Sequence, residues 1–153
     1  MIKIIFLSTL LIIISSTYSV ADLEIQFVLG SDTELKNPHD LKLSPDGKNL
    51  FDSDVANNRV LILDPDTLEF VHAFGSDHKS VTHDIDLDDK GLAYVADTHN
   101  NRVTIYQMDG LNATLVGELS QKIRGPEGVL VHPNGNIYVA GAWSDNLIVY
   151  NDG

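Results

Sequence analysis

The stretch that decides the fold is "VADTHNNRVTIY", residues 95–106, because two related phrases occur elsewhere in the chain. The earlier phrase is "SDVANNRVLIL" at residues 53–63, and the later one is "AGAWSDNLIVY" at residues 140–150. The Asn-Arg-Val of the first phrase begins at Asn58 and that of the second at Asn101, so 43 residues separate them (101 − 58). A repeat period in this range indicates a propeller or a solenoid.

The second unit has the pattern of four short strands. The segments "HDIDL", "LAYVA", "RVTIY" and "ATLVGEL" are separated by turns that carry Gly, Asn and Asp. No apolar stripe with a helical period is visible, which disfavours helical repeats. Four antiparallel strands per unit are typical of a propeller blade. We therefore predict an all-β propeller with three four-stranded blades, at about residues 37–80, 81–124 and 125–153.

The first 21 residues differ from the rest of the chain. Lys3 precedes an apolar run of eleven residues, "IIFLSTLLIII", and the small residues Ser19 and Ala21 follow it. This order is typical of a secretory signal peptide. A membrane anchor is the alternative, but an uninterrupted span needs about 20 apolar residues. We predict a signal peptide over residues 1–21, a secreted mature chain over residues 22–153 and no transmembrane anchor.

Composition limits the classes of partner and of site. The chain has 22 acidic residues against 10 Lys and Arg, and its formal net charge is −12. Nucleic-acid binding depends on clustered basic side chains, so we expect no nucleic-acid partner. The chain has no cysteine, which excludes disulfides and thiolate metal ligands. Carboxylates can bind calcium, although an acidic surface also serves solubility.

The repeated phrase also resembles a known family. An aromatic-Val-Ala-Asp strand end followed by Asn-Arg-Val is similar to the signature of the NHL-repeat β-propellers, and "YVADTHNNRVTIY" follows it closely. The resemblance covers residues 37–153 and is loosest in the third unit, where Gly141 and Asn146 replace the Asp and the Arg. A carboxylate at a strand end can accept hydrogen bonds from the following loop and from Arg. We predict that the repeated pairs form structural corners; they are Asp54 with Arg59 and Asp97 with Arg102.

Three units are too few for an ordinary ring, because propellers usually have four to eight blades. Residues 23–30, "LEIQFVLG", resemble the outer strands "LEFVHAFG" and "ATLVGEL", and the last unit ends after its third strand. One interpretation is half of a six-bladed propeller that closes as a homodimer, with residues 24–29 of one chain pairing with residues 147–150 of the other. The other interpretation is a fragment of a longer propeller. The sequence leaves both open.

The first predicted strand of each unit begins with a residue that could bind a metal, and these residues share one repeat position. They are His39, His83 and Glu127, and rotation about the propeller axis would set them in an arc around the central channel. Two imidazoles and a carboxylate are a zinc-like ligand set. Asp40 and Asp84, next to the two histidines, offer the oxygen ligands that calcium prefers. Histidines at strand ends can equally be structural.

The "PHD" and "THDI" openings resemble those of one enzyme branch of this superfamily, the peptidyl-α-hydroxyglycine α-amidating lyases, also called peptidylamidoglycolate lyases. The resemblance implies zinc bound by His39 and His83 and calcium bound by Asp40 and Asp84. It also implies cleavage of a peptidyl-α-hydroxyglycine to a peptide amide and glyoxylate, with zinc acting as a Lewis acid.

Departures from the lyase pattern keep a second class of function open. The third unit opens with Glu127 instead of His, and Thr98 and His99 stand where the lyases have Arg and Tyr. The alternative is a non-catalytic extracellular module. Such a module would bind a peptide or small molecule in the channel, or a protein on the loop face.

One modification site is predicted. The Asn-Ala-Thr sequence at Asn112 lies between the third and fourth strands of the second unit, on the outer rim. This tripeptide is a glycosylation acceptor in secreted proteins, so we predict a glycan at Asn112.

Overall fold

The computed structural model of the chain describes residues 26–31, 33–77 and 80–151. The predicted signal peptide over residues 1–21 lies outside the described residues. The described part is an all-β structure of eleven strands in three antiparallel sheets, which confirms the predicted fold class. Within these ranges no helix is long and apolar enough to cross a membrane.

Each sheet is one blade, and its strands follow one another in chain order. The first blade contains β1 (Pro38–Leu43), β2 (Leu50–Asp54), β3 (Arg59–Leu63) and β4 (Phe70–Phe74). The second contains β5 (Thr82–Leu87), β6 (Leu92–Asp97), β7 (Arg102–Asp109) and β8 (Asn112–Leu119). The third contains β9 (Pro126–Val131), β10 (Asn136–Gly141) and β11 (Asn146–Asn151).

The third blade as described has three strands, as expected from a last unit that ends after its third strand. Strand β11 pairs with β10, and its other edge faces no strand among the described residues. Residues 26–30, which we predicted to be part of an outer strand, have no regular secondary structure. Phe27 and Val28 in this segment are exposed. An outer strand needs a neighbour to pair with, and no strand among the described residues pairs with this segment.

Two apolar clusters join the blades face to face. In each cluster, side chains from one face of a blade pack against the facing side of the next blade. The first strands of consecutive blades, β1, β5 and β9, lie next to one another. Fully burying such a side chain contributes about 1.5–3 kcal/mol, so these clusters dominate the stability of the described blades. The first cluster contains Phe51, Val60, Ile62, Phe74, Ile85, Ala93, Val95 and Tyr106. The second contains Tyr94, Val103, Ile123, Val129, Ile137 and Val139.

A buried carboxylate organises the corner after the second strand of the first two blades. In the second blade, Asp97 is fully buried and accepts hydrogen bonds from Arg102 Nε at 2.8 Å and from the Ser80 N–H at 2.7 Å. In the first blade, Asp54 accepts from Arg59 Nε at 2.7 Å and from the Lys36 N–H at 2.7 Å. Each carboxylate therefore ties the loop after its own strand to the segment that enters the blade.

The third blade makes its corner with different residues. Ser144 Oγ accepts the Arg124 N–H at 3.1 Å, and Arg124 stands one repeat after Ser80. The same hydroxyl donates to Asn146 Oδ1 at 2.7 Å. A Cβ on Gly141 would lie 2.3 Å from Ser144 Oγ, so the serine occupies the space of the missing carboxylate. The loss of the Asp and Arg from the repeated phrase is compensated locally.

This compensation makes a counter-intuitive prediction. Gly141→Asp restores the residue of the other two blades, yet it should lower the free energy of unfolding by about 1–3 kcal/mol, because the new side chain overlaps Ser144 and Asn146. The triple variant Gly141→Asp, Ser144→Asn, Asn146→Arg restores the whole corner and should recover most of that loss. Urea denaturation followed by circular dichroism measures both. A single variant as stable as the unchanged chain would contradict this account of the corner.

Candidate functional site

The predicted site residues lie at the N-terminal ends of β1, β5 and β9. At each of these ends the pairing with the neighbouring strand is irregular. The pairing of β1 with β2 shifts between Pro38 and Leu41, and that of β5 with β6 shifts between Thr82 and Ile85. The pairing of β9 with β10 shifts at the position of Glu127. A β-bulge re-aims side chains that regular pleating would send to alternate faces. The three openings therefore share a local geometry as well as a repeat position.

The two histidines lie together. The rings of His39 and His83 stack with their centroids 4.8 Å apart and their planes 20° apart. His83 is half-buried, and burial lowers the pKa of its imidazole more than the nearby Glu127 carboxylate raises it. His83 is therefore neutral at pH 7.

A hydrogen-bond chain fixes the tautomer of His83. Thr98 Oγ1 donates its single proton to the Pro126 carbonyl at 2.7 Å, and it lies 2.9 Å from His83 Nδ1. Because the hydroxyl proton is already used, His83 Nδ1 must donate to Thr98 Oγ1. The Nε2 atom of the neutral ring then carries a lone pair that can accept a proton or bind a metal.

Glu127 approaches this pair without completing a ligand set. Its Oε1 atom lies 3.9 Å from His83 Nδ1, the ring nitrogen that already donates to Thr98. No group of three or more His, Asp and Glu side chains within the described ranges is arranged to hold a metal ion. The structure thus gathers His39, His83 and Glu127 at one place in an arrangement that is open rather than chelating.

Asp40 and Asp84 serve contacts between blades. Asp84 Oδ2 accepts from the Val129 N–H at 2.5 Å and Asp84 Oδ1 accepts from its neighbour Ile85 N–H at 2.7 Å. Asp40 Oδ2 lies 3.4 Å from the same Ile85 N–H. Burial, together with a hydrogen bond to Asp40, raises the pKa of Asp84 to about 7. Asp84 is therefore partly protonated near neutral pH, and its proton can be donated to the Asp40 carboxylate.

Aromatic side chains extend the site toward the loops. The rings of His99 and Trp143 have centroids 5.3 Å apart, and both side chains are exposed. They occupy one repeat position in neighbouring blades (99 + 44 = 143). His99 and Glu127 both lie close enough to influence the pKa of His83, so His99 connects Trp143 to the histidine pair. We call this mixed imidazole, carboxylate and indole surface the axial cluster: His39, His83, His99, Glu127 and Trp143.

Sequence reasoning missed two residues here. Thr98 was noted as a departure from the lyase pattern, but its role in orienting His83 depends on contacts between β5, the corner and β9. Asp52 is buried where the second and third blades have Val95 and Val139. Burial, followed by the charges of Asp54 and Asp40, raises the pKa of Asp52 to about 6. The signal for Asp52 was a charged residue inside an otherwise apolar strand pattern.

A comparison with known families fits this geometry. The model of the NHL repeat matches residues 83–106, from the opening of β5 to Tyr106 in β7. This chain carries an NHL repeat. The matched segment includes His83, the corner of the second blade and Asn101. No curated protein matches the chain.

Solved structures resemble the NHL-repeat blades in fold. A candidate 6-phosphogluconolactonase from Bacteroides uniformis is 21% identical with a TM-score of 0.65, and the match covers 77% of this chain and 37% of that one. A hydrazine synthase from Kuenenia stuttgartiensis is 20% identical with a TM-score of 0.64, over 84% and 37%. A luciferin-regenerating enzyme is 19% identical with a TM-score of 0.58, over 72% and 39%. This chain spans less than two fifths of each of them, and at these identities the likeness shows the fold alone.

The raised pKa of Asp84 predicts a pH effect on stability. The pKa of Asp84 is higher in the folded chain than in the unfolded one, so its stabilising contribution is present below about pH 4 and is lost as the pH rises through about 7. Asp84→Asn keeps an acceptor for the Val129 N–H and a donor toward Asp40 without titrating. We expect the variant to gain stability relative to the unchanged chain between pH 5.5 and pH 8.5, as measured by urea denaturation.

Asp46→Asn is the matched control for this experiment. Asp46 is exposed, and hydrogen bonds from Ser44 and Lys48 lower its pKa to about 2, so it does not titrate between pH 5.5 and pH 8.5. Its effect on stability should be the same at both pH values. An Asp84→Asn effect that is equally independent of pH would show that Asp84 does not titrate near neutral pH in the folded chain.

Proposed function

We propose that this NHL-repeat chain is a ligand-binding propeller unit that binds a peptide or small molecule at the axial cluster. The observation that carries the proposal is the His83, Thr98 and Pro126 hydrogen-bond chain, which holds a neutral imidazole with its Nε2 lone pair available. A histidine oriented through its other nitrogen is the usual arrangement of functional imidazoles. Hydroxyl and amide N–H groups of a ligand are the partners that this lone pair accepts from.

Exposure supports the same assignment. Glu127 and Trp143 remain 45% and 46% exposed beside the histidines, whereas the corners a few residues away are closed. An exposed indole next to a carboxylate and imidazoles offers an apolar surface, hydrogen-bond donors and hydrogen-bond acceptors within one site. A ligand with an apolar part and polar hydrogen-bonding groups matches this combination.

A second candidate is the activity of the peptidylamidoglycolate lyases. It is favoured by the pair of adjacent imidazoles, one of them neutral and oriented, which fits two ligands of a zinc ion. Glu127 does not complete the set as it stands, because its carboxylate approaches the ring nitrogen that donates to Thr98. Zinc bound by His39 and His83 would supply Lewis acidity toward a substrate hydroxyl. The role of this chain's own residues would be to orient His83 through Thr98.

Calcium fits less well. Both carboxylate oxygens of Asp84 accept backbone N–H groups, and N–H donors around a carboxylate repel a cation. Asp40 is hydrogen-bonded to Asp84. The two residues that the sequence suggested as calcium ligands are thus committed to holding adjacent blades together.

Secretion and glycosylation belong to the same proposal. Asn112 is exposed at the start of β8, and the hairpin pairs it with Asp109 at the end of β7. An exposed hairpin tip is accessible to a glycosylating enzyme. A secreted, glycosylated propeller unit would meet an extracellular ligand.

The test uses a peptide ending in α-hydroxyglycine, with and without zinc. Trp143 is the single tryptophan of the chain, so its fluorescence reports binding at the axial cluster. We expect saturable quenching that His83→Ala weakens at least tenfold. Binding should also weaken as the pH falls below about 6.5, because burial lowers the pKa of the His83 imidazole from that ordinary value. His72→Ala, on the outer strand β4, is the matched control and should leave binding unchanged.

Variants of Thr98 separate positioning from general structure. Thr98→Ser keeps the hydroxyl and should keep binding, whereas Thr98→Val removes the acceptor for His83 Nδ1 and should weaken binding. Glyoxylate release that depends on zinc and on His83 would support the lyase, and binding without glyoxylate would leave a ligand-binding unit. Absence of any quenching by the peptide, with or without zinc, would contradict the assignment of peptides to this site.

A further inference from the structure

The third blade differs from the other two at two repeat positions within the axial cluster. Glu127 replaces the histidine that opens each of the first two blades, and Trp143 replaces Ala56 and His99. The backbone confirms the second equivalence, because Ala56, His99 and Trp143 each donate the N–H to a carbonyl of the segment that enters their own blade. The third blade therefore brings a carboxylate and an indole to the same end of the structure.

The Glu127 carboxylate is exposed and lacks a cationic partner. Its side chain is 45% exposed, and its Oε1 atom lies 3.9 Å from His83 Nδ1, which is beyond hydrogen-bond distance. The Nδ1 N–H is directed instead at Thr98 Oγ1, 2.9 Å away. No Lys or Arg among the described residues, Arg124 included, forms an ion pair with this carboxylate. Its charge is available to a ligand.

The Trp143 indole is held in place beside it and is partly exposed. The ring packs directly on Gly125, which has a left-handed φ of 54° and leaves no room for a Cβ. The Trp143 N–H donates to the Arg124 carbonyl at 3.1 Å, and Ser144 Oγ accepts the Arg124 N–H at 3.1 Å. These contacts fix the loop against the entry to β9, while the indole stays 46% exposed. The electron-rich face of such a ring attracts cations.

The carboxylate and the indole lie within reach of one cationic group. Gly125, on which the indole packs, precedes Glu127 by two residues, which is about 6–7 Å along an extended chain. The ring of His83, beside Glu127, adds the Nε2 lone pair, which accepts an N–H. The formal net charge of the chain, −12, also favours the approach of a cation over that of an anion.

We propose that the axial cluster selects ligands that carry a primary ammonium or guanidinium group, and that it binds this group between Glu127 and Trp143. The inference rests on the proposed function, because it names the class of ligand that the same site takes. A cation with N–H groups can donate hydrogen bonds to the carboxylate and to His83 Nε2 while its charge lies over the indole. A ligand carboxylate at the same place would be repelled by Glu127.

Isothermal titration calorimetry at neutral pH with three capped tripeptides tests this selection. The peptides are acetylated at the N-terminus and amidated at the C-terminus, and their central residue is lysine, Nε-acetyl-lysine or glutamate. They therefore differ in the charge of one side chain. We expect the lysine peptide to bind about tenfold more tightly than the acetyl-lysine peptide. Added salt should weaken its binding, because salt screens partly exposed charges.

Single substitutions locate the source of the preference. Glu127→Gln keeps the size of the side chain and removes its charge, so it should reduce the preference for lysine over acetyl-lysine to less than about threefold. Glu69→Gln is the matched control, because Glu69 is exposed directly before β4 and this variant removes the same charge from the chain. Its preference should stay unchanged. Trp143→Leu keeps an apolar side chain without the aromatic face, and it should weaken binding of the lysine peptide more than that of the acetyl-lysine peptide.

The outcomes distinguish this inference from the proposed ligand site. Equal affinities for the lysine and acetyl-lysine peptides, or tighter binding of the glutamate peptide, would overturn the selection of cations and leave the site itself standing. An equal loss of preference in folded Glu69→Gln and Glu127→Gln would also overturn it, because net charge alone would then set the preference. Absence of binding by all three peptides and by the peptide ending in α-hydroxyglycine would overturn both proposals.

Discussion

The buried carboxylate at the end of the second strand is the constraint on which the other features depend. Asp97 binds Arg102 and the entering Ser80 N–H, and it thereby fixes the short 3₁₀ turn of residues 98–100 between β6 and β7. That turn sets Thr98 against His83 and Pro126. It ends at Asn101, whose Oδ1 accepts the Gly125 N–H at the start of the next blade. One ion pair therefore supports both the orientation of the imidazole and the joint between two blades. Breaking a buried pair by removing one partner costs about 3–5 kcal/mol, which exceeds the value of most single contacts.

The third blade shows what is essential in this corner. Its Asp and Arg are replaced by Gly141 and Asn146, yet Ser144 accepts the equivalent backbone N–H and Asp145 keeps the left-handed conformation. The corner thus needs an acceptor for the backbone N–H of the entering segment, rather than a particular ion pair. The third corner is built without charge at its centre, and Asp145 occupies the repeat position that Asn58 and Asn101 hold in the other two corners.

The repeat made the fold predictable, because a period of about 44 residues and alternation within each unit depend only on local pattern. Strand order, the carboxylate corners and the shared repeat position of His39 and His83 follow from those patterns. The bulges at the two histidines are visible only in the strand pairing. The role of Thr98 was not predictable, since it arises where three elements meet and no spacing records it. Asp40 and Asp84 were expected at the axis as oxygen ligands, but their hydrogen bonds to the next blade depend on how the sheets stack. The repeat period shows which residues occupy equivalent positions in the blades. It does not show which of their atoms are already engaged in hydrogen bonds.

Hydrogen exchange in Asp97→Asn tests the role of the corner most directly. The variant keeps the shape of the side chain while weakening its bond to Arg102, which retains Glu118 as a second partner. The account predicts faster exchange at the N–H groups of Ser80 and Gly125, which depend on the second corner. Exchange at the Val81 N–H, which donates to Asn58 Oδ1 of the first corner, should stay unchanged. Unchanged protection at Gly125, or an equal loss at Val81, would contradict the claim that one carboxylate positions the joint and the imidazole together.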